Sequence, residues 1–218
     1  MIDGRRLGVA AAVLFLAAPS YAQFPVQPIG RFVADARVAF PKFKDLPSVN
    51  DAIGITEDQT PGRGLGLVFG VHVYPLRMGP VTLGLGGELL VSRGRKTPDT
   101  ETSGGATTAA GPTVESRLSS ISPQISLNFG NRQGWSYLSG GIGGAVWTTE
   151  LDTASSTSTA PRVKAINYGG GARWFAKPHL AFAFDLRWYA VDPQLAAGTR
   201  PAYPRTTMTV LSVGASFK

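Results

Sequence analysis

Apolar and polar residues alternate along most of this chain with a repeat of two residues. Eight segments carry the alternation: 31–40, 64–74, 81–92, 118–129, 136–149, 165–175, 180–190 and 206–217. A repeat of two places successive side chains on opposite faces of a β-strand, and about ten residues suffice for a tilted strand to cross a membrane. The pattern therefore predicts eight β-strands, each with one apolar and one polar face.

Long and short connections alternate strictly between the predicted strands. The long ones span 41–63, 93–117, 150–164 and 191–205, and the short ones span 75–80, 130–135 and 176–179. Long extracellular loops and short periplasmic turns are typical of outer-membrane barrels. The sequence thus predicts an all-β fold, an eight-stranded antiparallel up-and-down transmembrane β-barrel with both termini at the end of the short turns. The second long loop is rich in Thr, Gly, Ala and Ser and is expected to be mobile and solvent-exposed.

The alternative architecture is a soluble barrel of the lipocalin type, in which the apolar faces point inward. The polar face of this chain carries mainly Gly, Ala, Ser, Thr and Asn, which suits the crowded lumen of an eight-stranded barrel. Only 16% of the chain is charged, against roughly 25% in soluble domains. Composition therefore favours apolar faces that point outward to lipid. Within the fourth segment, Pro123 cannot donate a ladder hydrogen bond, so a bulge or locally open pairing is expected there.

The first 22 residues have the three parts of a secretory signal peptide. Arg5 and Arg6 form a basic start, residues 7–18 form an apolar stretch, and Ser20 and Ala22 provide small residues for cleavage. The apolar stretch is shorter than the ~20 residues of a transmembrane helix. We therefore expect residues 1–22 to be a cleaved signal peptide and residues 23–218 to form the outer-membrane β-barrel domain.

The charge and the cysteine content narrow the possible functions. Residues 23–218 contain 19 basic and 13 acidic residues, which gives a net charge of +6. The basic residues are scattered, so no nucleic-acid partner is expected. The sequence has no cysteine, which excludes disulfides, a lipid-anchored cysteine and cysteine zinc sites. Glycine clusters lie inside predicted strands, where they favour curvature over phosphate binding, and we expect neither a cofactor nor a metal.

Aromatic residues lie near both ends of the predicted strands. Tyr74, Trp135, Tyr137, Trp174 and Phe217 are beside the short turns, and Phe40, Trp147, Trp188 and Tyr189 are beside the long loops. Amphipathic rings favour the two membrane interfaces. We therefore expect these residues to mark the edges of the membrane, with ordinary core packing as the alternative for any one of them.

Nine polar or charged residues are predicted to face the lumen: Asp35, Arg37, His72, Glu88, Gln124, Asn128, Arg173, Asp185 and Arg187. Charges in a narrow lumen must be paired or hydrated. A salt-bridge network that plugs the barrel is the first interpretation, and a narrow ion path or a ligand site is the alternative. We expect Arg173 to lie within cross-strand reach of Asp185, so that Asp185→Ala is far more destabilising than Asp99→Ala in the second loop.

An enzyme would need a nucleophile with a base nearby. The two histidines, His72 and His179, are the candidate bases, and neither has a recognisable serine partner motif. Structural histidines are the simpler interpretation, and the sequence predicts no catalytic residues and no enzymatic activity.

The chain resembles the small outer-membrane β-barrel family related to the OmpA membrane domain and OmpX. The resemblance covers roughly residues 29–217 and is carried by 121–130, 137–147, 168–175 and 210–217. It implies a bacterial outer-membrane protein that is surrounded by outer-membrane lipid and whose C-terminal strand is read by the barrel-assembly machinery. Family members usually end on an aromatic residue, whereas here Lys218 follows Phe217.

These expectations point to an integral outer-membrane protein with a structural role in the envelope. Its exposed loops would interact with an extracellular partner that the sequence does not identify. A small pore or transporter for ions or small solutes is the alternative function.

Overall fold

A computed structural model describes residues 28–98, 100–103, 106–109, 111–152, 160–198 and 200–218. Its elements are β1 (Phe32–Lys42), α1 (Pro47–Ile53), a 3-10 turn (Glu57–Gln59), β2 (Leu65–Met78), β3 (Val81–Lys96), β4 (Thr100–Ser103), β5 (Ala106–Ala109), β6 (Val114–Asn131), β7 (Gly134–Leu151), β8 (Val163–Lys177), β9 (Leu180–Val191) and β10 (Thr206–Phe217). The expected signal peptide, residues 1–22, lies outside the described residues.

Eight of the described strands close into one antiparallel barrel, in the order β1-β2-β3-β6-β7-β8-β9-β10, with β10 paired to β1. Each strand pairs with its neighbour along the barrel, which is the predicted up-and-down topology. The remaining strands, β4 and β5, form a separate hairpin inside the second long loop. The eight-stranded all-β fold predicted from the alternation is confirmed.

The two faces of each strand differ as the alternation predicted. On β2, the side chains of Leu65, Phe69 and Val71 are about half exposed on the outside, whereas those of Val68 and His72, which have the opposite parity, are buried inside. An exterior covered with exposed apolar side chains is the surface of a barrel that faces lipid. The soluble lipocalin-type alternative, with its apolar faces inward, is therefore wrong.

The short connections are tighter than predicted, with two residues each: 79–80, 132–133 and 178–179. Gly79 has a φ of 60°, a left-handed conformation that favours glycine. Both ends of the described chain lie beside these turns, since the Lys218 N–H donates to the His179 carbonyl and the Tyr74 N–H donates to the Arg31 carbonyl. The predicted placement of the termini is confirmed.

Pro123 interrupts one ladder but not the other. Residues 121 and 124 of β6 pair with 144 and 141 of β7, and the two positions between them are unpaired on that side. The register is the same on both sides of the gap, so the locally open pairing is present without a bulge. On its other side, Pro123 pairs with Gly87 of β3.

The second long loop is shorter than predicted because the β3–β6 ladder continues into it, from Arg93 paired with Arg117 to Lys96 paired with Val114. Above the apolar band, Glu115 accepts from Arg93, Arg95 and Arg117 on the outer surface. These charge-assisted contacts hold the two strands together beyond the apolar outer surface of the barrel. The expectation of a mobile loop throughout 93–117 is therefore wrong for its two ends.

The first long loop, which the sequence predicts only as a connection at 41–63, has structure of its own. It contains α1, which ends at Gly54 in a left-handed conformation, and Phe43, Leu46 and Val49 pack into the mouth of the barrel. Among the residues that the structure describes, no helix is long and apolar enough to cross a membrane.

Candidate functional site

The lumen of the barrel is filled in three layers. At the short-turn end, Trp135 stacks on Phe175 with ring centroids 5.1 Å apart and meets the edge of the Tyr74 ring at 5.8 Å. Ile29 and Val33 complete this apolar layer. Such a cluster closes the short-turn end of the lumen with side chains, as is usual in eight-stranded barrels.

The middle layer is polar, and it contains the candidate site. All nine residues proposed for the lumen are buried, with no more than 5% of any residue exposed. Three arginines and three carboxylates make up the charge of this layer, so its formal charge is zero when His72 is neutral. Burial of that many charges is tolerated only where each one has partners.

One ion pair crosses the lumen from β8 to β1. Arg173 donates to Asp35 through Nε at 3.0 Å and through Nη2 at 2.5 Å, and Ser216 also donates to this carboxylate. The guanidinium lies over the Tyr137 ring, 4.2 Å from its centroid. A two-pronged contact of this kind fixes orientation as well as charge.

Arg173 lies within cross-strand reach of Asp185, as predicted, but its ion pair is with Asp35. Arg173 lies opposite Ala183 in the β8–β9 ladder, so Asp185 is its diagonal neighbour, within the range of registers expected from the short turn. The guanidinium instead extends across the lumen to Asp35. The turn length determined the register, but it could not show which acid across the barrel would bind the arginine.

The other four charges form a connected cluster. Arg37 donates to Glu88 at 2.5 Å and lies 3.3 Å from Asp185. Arg187 donates to both oxygens of Asp185, at 3.2 and 3.0 Å, and lies 3.4 Å from Glu88. Each carboxylate therefore faces two guanidinium groups.

Neutral side chains complete the network, and several of them were missed from the sequence. Tyr137 donates to Asp185 at 2.8 Å, and Tyr189 donates to Glu88 at 2.7 Å. Asn167 accepts from Arg187 at 3.0 Å and from Gln124 at 3.2 Å. The sequence did carry a signal, because Tyr189 has the same strand parity as Asp185 and Arg187.

The remaining two candidate residues take peripheral places in this layer. His72 Nε2 is 3.3 Å from the Gln124 side-chain oxygen, and its Nδ1 is 3.9 Å from Asp35. Asn128 is separate from the ionic cluster, where it donates to the Thr82 carbonyl at 3.0 Å and to Ser126 at 2.9 Å. Of the nine residues, eight thus belong to connected ionic and polar contacts, and Asn128 forms local contacts between β3 and β6.

The third layer is apolar and lies at the long-loop end. Its strand residues include Val68, Leu90, Leu118, Trp147 and Met208, packed against residues of the first and fourth loops. Tyr203 of the fourth loop meets the Trp147 ring edge-on at 5.3 Å. The two loops therefore cap the lumen at its long-loop end.

Tyr203 is tied to β7 by its hydroxyl, which accepts from the Thr149 N–H at 2.9 Å and donates to the Thr149 carbonyl at 3.2 Å. Burial raises the pKa of this hydroxyl, which keeps it protonated and able to donate. A side chain that satisfies both backbone groups of one residue anchors the loop to the strand.

We expect Tyr203→Phe to cost about 1 kcal/mol of unfolding free energy, since it deletes these two hydrogen bonds and keeps the ring. The exposed Tyr168→Phe change, which removes a hydroxyl on the lipid-facing side, serves as the control. Hydrogen exchange of the Thr149 amide should become faster in Tyr203→Phe alone. Unchanged exchange in that variant would mean that the loop is held by ring packing and not by the hydroxyl.

The aromatic residues only partly follow the interface prediction. Trp174, Phe217, Phe40 and Trp188 lie on outward faces, and Trp188 stacks on Tyr168 with centroids 5.7 Å apart. Trp135, Tyr137, Trp147 and Tyr189 are at most 4% exposed and fill the lumen, and Tyr74 packs against the inner aromatic layer. For those five the interface prediction is wrong, because their strand parity directs them inward.

The charged side chains of the middle layer bind one another, which leaves them little capacity to bind a metal ion or to act on a substrate. Within the described ranges, no group of three or more His, Asp or Glu side chains is arranged to hold a metal ion. His179 lies in a turn, where its Nδ1 is 3.0 Å from the Lys218 carbonyl oxygen, and His72 contacts an amide. The arrangement holds the strands at fixed distances across the lumen.

Known structures share this architecture. No protein-family model matches the chain, and no curated protein matches its sequence. The crystal structure of Neisserial surface protein A has a TM-score of 0.56 at 14% identity and covers 86% of this chain and 96% of that one. Ail, the attachment invasion locus protein of Yersinia pestis, gives a TM-score of 0.48 at 11% identity over 86% of this chain and 95% of Ail. The fold is that of small outer-membrane β-barrels.

Proposed function

We propose that this chain is an integral protein of the bacterial outer membrane, with a sealed barrel that has a structural role in the envelope. One observation carries the proposal: the three arginines and three carboxylates in the middle of the lumen pair with one another and are at most 5% exposed. The exposed apolar exterior supports a position in lipid. A cleaved signal peptide at residues 1–22 would direct the chain to export.

A sealed barrel disfavours the pore function. Ions that cross a lumen need water or mobile charged groups along the path, and an ion that entered this one would have to break existing ion pairs. The layers above and below are apolar, which adds a further barrier. No catalytic role is assigned to the lumen, since its side chains form a network in which they bind one another.

The loops are the parts of the protein available for interaction. The fourth loop carries Leu195, which is 85% exposed, although Tyr203 of the same loop is anchored in the mouth. The β3–β6 ladder extends beyond the apolar band and supports the second loop. We therefore assign contact with an extracellular partner to these loops. Recognition by the barrel-assembly machinery is assigned to the C-terminal strand.

Single-channel recording in planar bilayers tests the sealed barrel. We expect no current steps from the wild-type protein, since the lumen holds no continuous path for ions. Arg37→Ala combined with Glu88→Ala removes one ion pair and keeps the layer neutral, and it should produce small steps. A gel shift between unboiled and boiled samples would show that both proteins are folded. Steps of equal size from both would instead favour the alternative, a small pore.

A further inference from the structure

The net charge of the barrel is concentrated at one end. The long loops and the strand ends beside them carry eleven basic and ten acidic residues, and the lumen carries three of each. The short-turn end carries five basic residues: Arg31, Arg77, Arg132, Lys177 and Lys218. The sequence has no Asp or Glu in the parts that form this end, 28–34, 74–82, 128–137, 174–181 and 216–218.

Two of these cations contact neutral groups. Lys218 Nζ lies 3.5 Å from the centroid of the Phe175 ring and donates to the Arg132 carbonyl. Arg77 Nη2 donates to the Ile29 carbonyl at 3.4 Å. These contacts hold the side chains in place without cancelling their charge. The side chains of the short-turn end therefore include five cations and no Asp or Glu.

An apolar groove with a volume of about 790 Å³ lies on the outer face of the barrel and reaches its short-turn end. Its walls include Trp174 and Phe182, which are 59% and 70% exposed. Small residues on the next two strands, among them Ala215 and Ala36, line the groove beyond Phe182, and Lys177 also lines it. The groove thus combines a long apolar surface with a cation from the β8–β9 turn region.

We propose that this groove binds an anionic glycerophospholipid of the periplasmic leaflet, with an acyl chain packed against Trp174 and Phe182 and the phosphate at Lys177. The inference rests on the proposed outer-membrane location, with the short turns on the periplasmic side. Charge complementarity selects the occupant, because Lys177 lines the groove and the segments at this end contain no Asp or Glu side chain that could take the place of an anionic headgroup.

The arginine cluster at the other end does not compete for this assignment. Arg93, Arg95 and Arg117 all donate to Glu115, and Arg95 also pairs with Asp152 at 3.0 Å. Their charges are largely offset by acidic groups on the protein itself. An anionic lipid there would have to displace carboxylates, whereas at Lys177 it would not.

Fluorescence quenching by brominated lipids tests the proposal. In a Trp188→Phe background, Trp174 is the tryptophan whose ring faces lipid, since Trp135 and Trp147 are at most 3% exposed. The protein is folded into phosphatidylcholine vesicles that contain a small fraction of brominated phosphatidylglycerol or, in parallel, brominated phosphatidylcholine. Because one cation near an anionic surface favours binding by about five-fold, brominated phosphatidylglycerol should bind about five-fold better.

Lys177→Gln should remove this preference, and so should high salt. Lys164→Gln, at the other end of the same strand, is the matched control and should leave the preference unchanged. Equal quenching by the two lipids in the parent protein, or a preference that survives Lys177→Gln, would overturn the lipid site. A gel shift in pure phosphatidylcholine tests the barrel separately, so a folded protein without lipid preference refutes this inference alone. Failure to fold in any vesicle would refute the proposed function as well.

Discussion

Replacing Asp185 by alanine should lower the free energy of unfolding of the barrel by about 3–5 kcal/mol, the usual cost of removing one member of a buried ion pair. This carboxylate accepts from Tyr137 and Arg187 and lies 3.3 Å from Arg37. Its removal leaves two guanidinium groups in the lumen with one acid fewer to balance them. The loss should therefore exceed that of any single neutral hydrogen bond in the layer.

Asp192→Ala is the control for this change. Asp192 pairs with Arg205 at 2.9 Å, but both side chains are well exposed, so its removal should cost at most ~1 kcal/mol. Asp99, the control suggested by the sequence, lies outside the described residues. Urea unfolding in lipid vesicles measures both variants. A loss for Asp185→Ala as small as that for Asp192→Ala, together with altered ion selectivity, would mean that the lumen is hydrated and would favour the pore.

Strand parity made the fold and the buried polar residues predictable. On β9, alternate residues from Leu180 to Ala190 are apolar or lipid-facing, which places Asp185 and Arg187 on the opposite, inward face. The same parity on β7 directs Trp135 and Tyr137 inward. The inward direction of these two rings is therefore also encoded in the sequence, and strand parity outweighs the general preference of aromatic rings for membrane interfaces.

Contacts across the lumen could not be predicted in this way. Neighbouring strands are related by turns whose lengths are visible in the sequence, and these give the register. Asp35 and Arg173, however, are 138 positions apart and lie on strands that are not neighbours. Their contact depends on the closure and stagger of the whole barrel, which arise from all eight strands together.

The first long loop carries a local sequence signal for its packing onto the barrel. Leu46, Val49 and Ile53 follow a spacing of three and four residues, which is typical of one face of a helix. In the structure, Val49 and Ile53 of α1 and Leu46 just before it pack onto the apolar layer at the long-loop end of the lumen. A short amphipathic segment inside a polar loop therefore indicated that the loop folds back onto the barrel.

Arg173→Ala should be as costly as Asp185→Ala, about 3–5 kcal/mol, because it leaves Asp35 buried without its bidentate partner. Arg173 also lies over the Tyr137 ring, so its removal opens space beside the aromatic layer at the short-turn end of the lumen. Since Asp35 is on β1 and Arg173 is on β8, their contact spans the lumen. The change should therefore loosen the barrel across its width, which faster hydrogen exchange in both strands would report.

Double-mutant cycles measured by urea unfolding in vesicles should identify the partner of Arg173. Combining Arg173→Ala with Asp35→Ala should recover about 1–3 kcal/mol relative to the sum of the single changes, as expected for groups in direct contact. Combining it with Asp185→Ala should recover less, because those two side chains belong to different pairs. A larger coupling to Asp185 than to Asp35 would restore the cross-strand pair expected from the sequence. It would also show that the lumen is connected along neighbouring strands and not across its diameter.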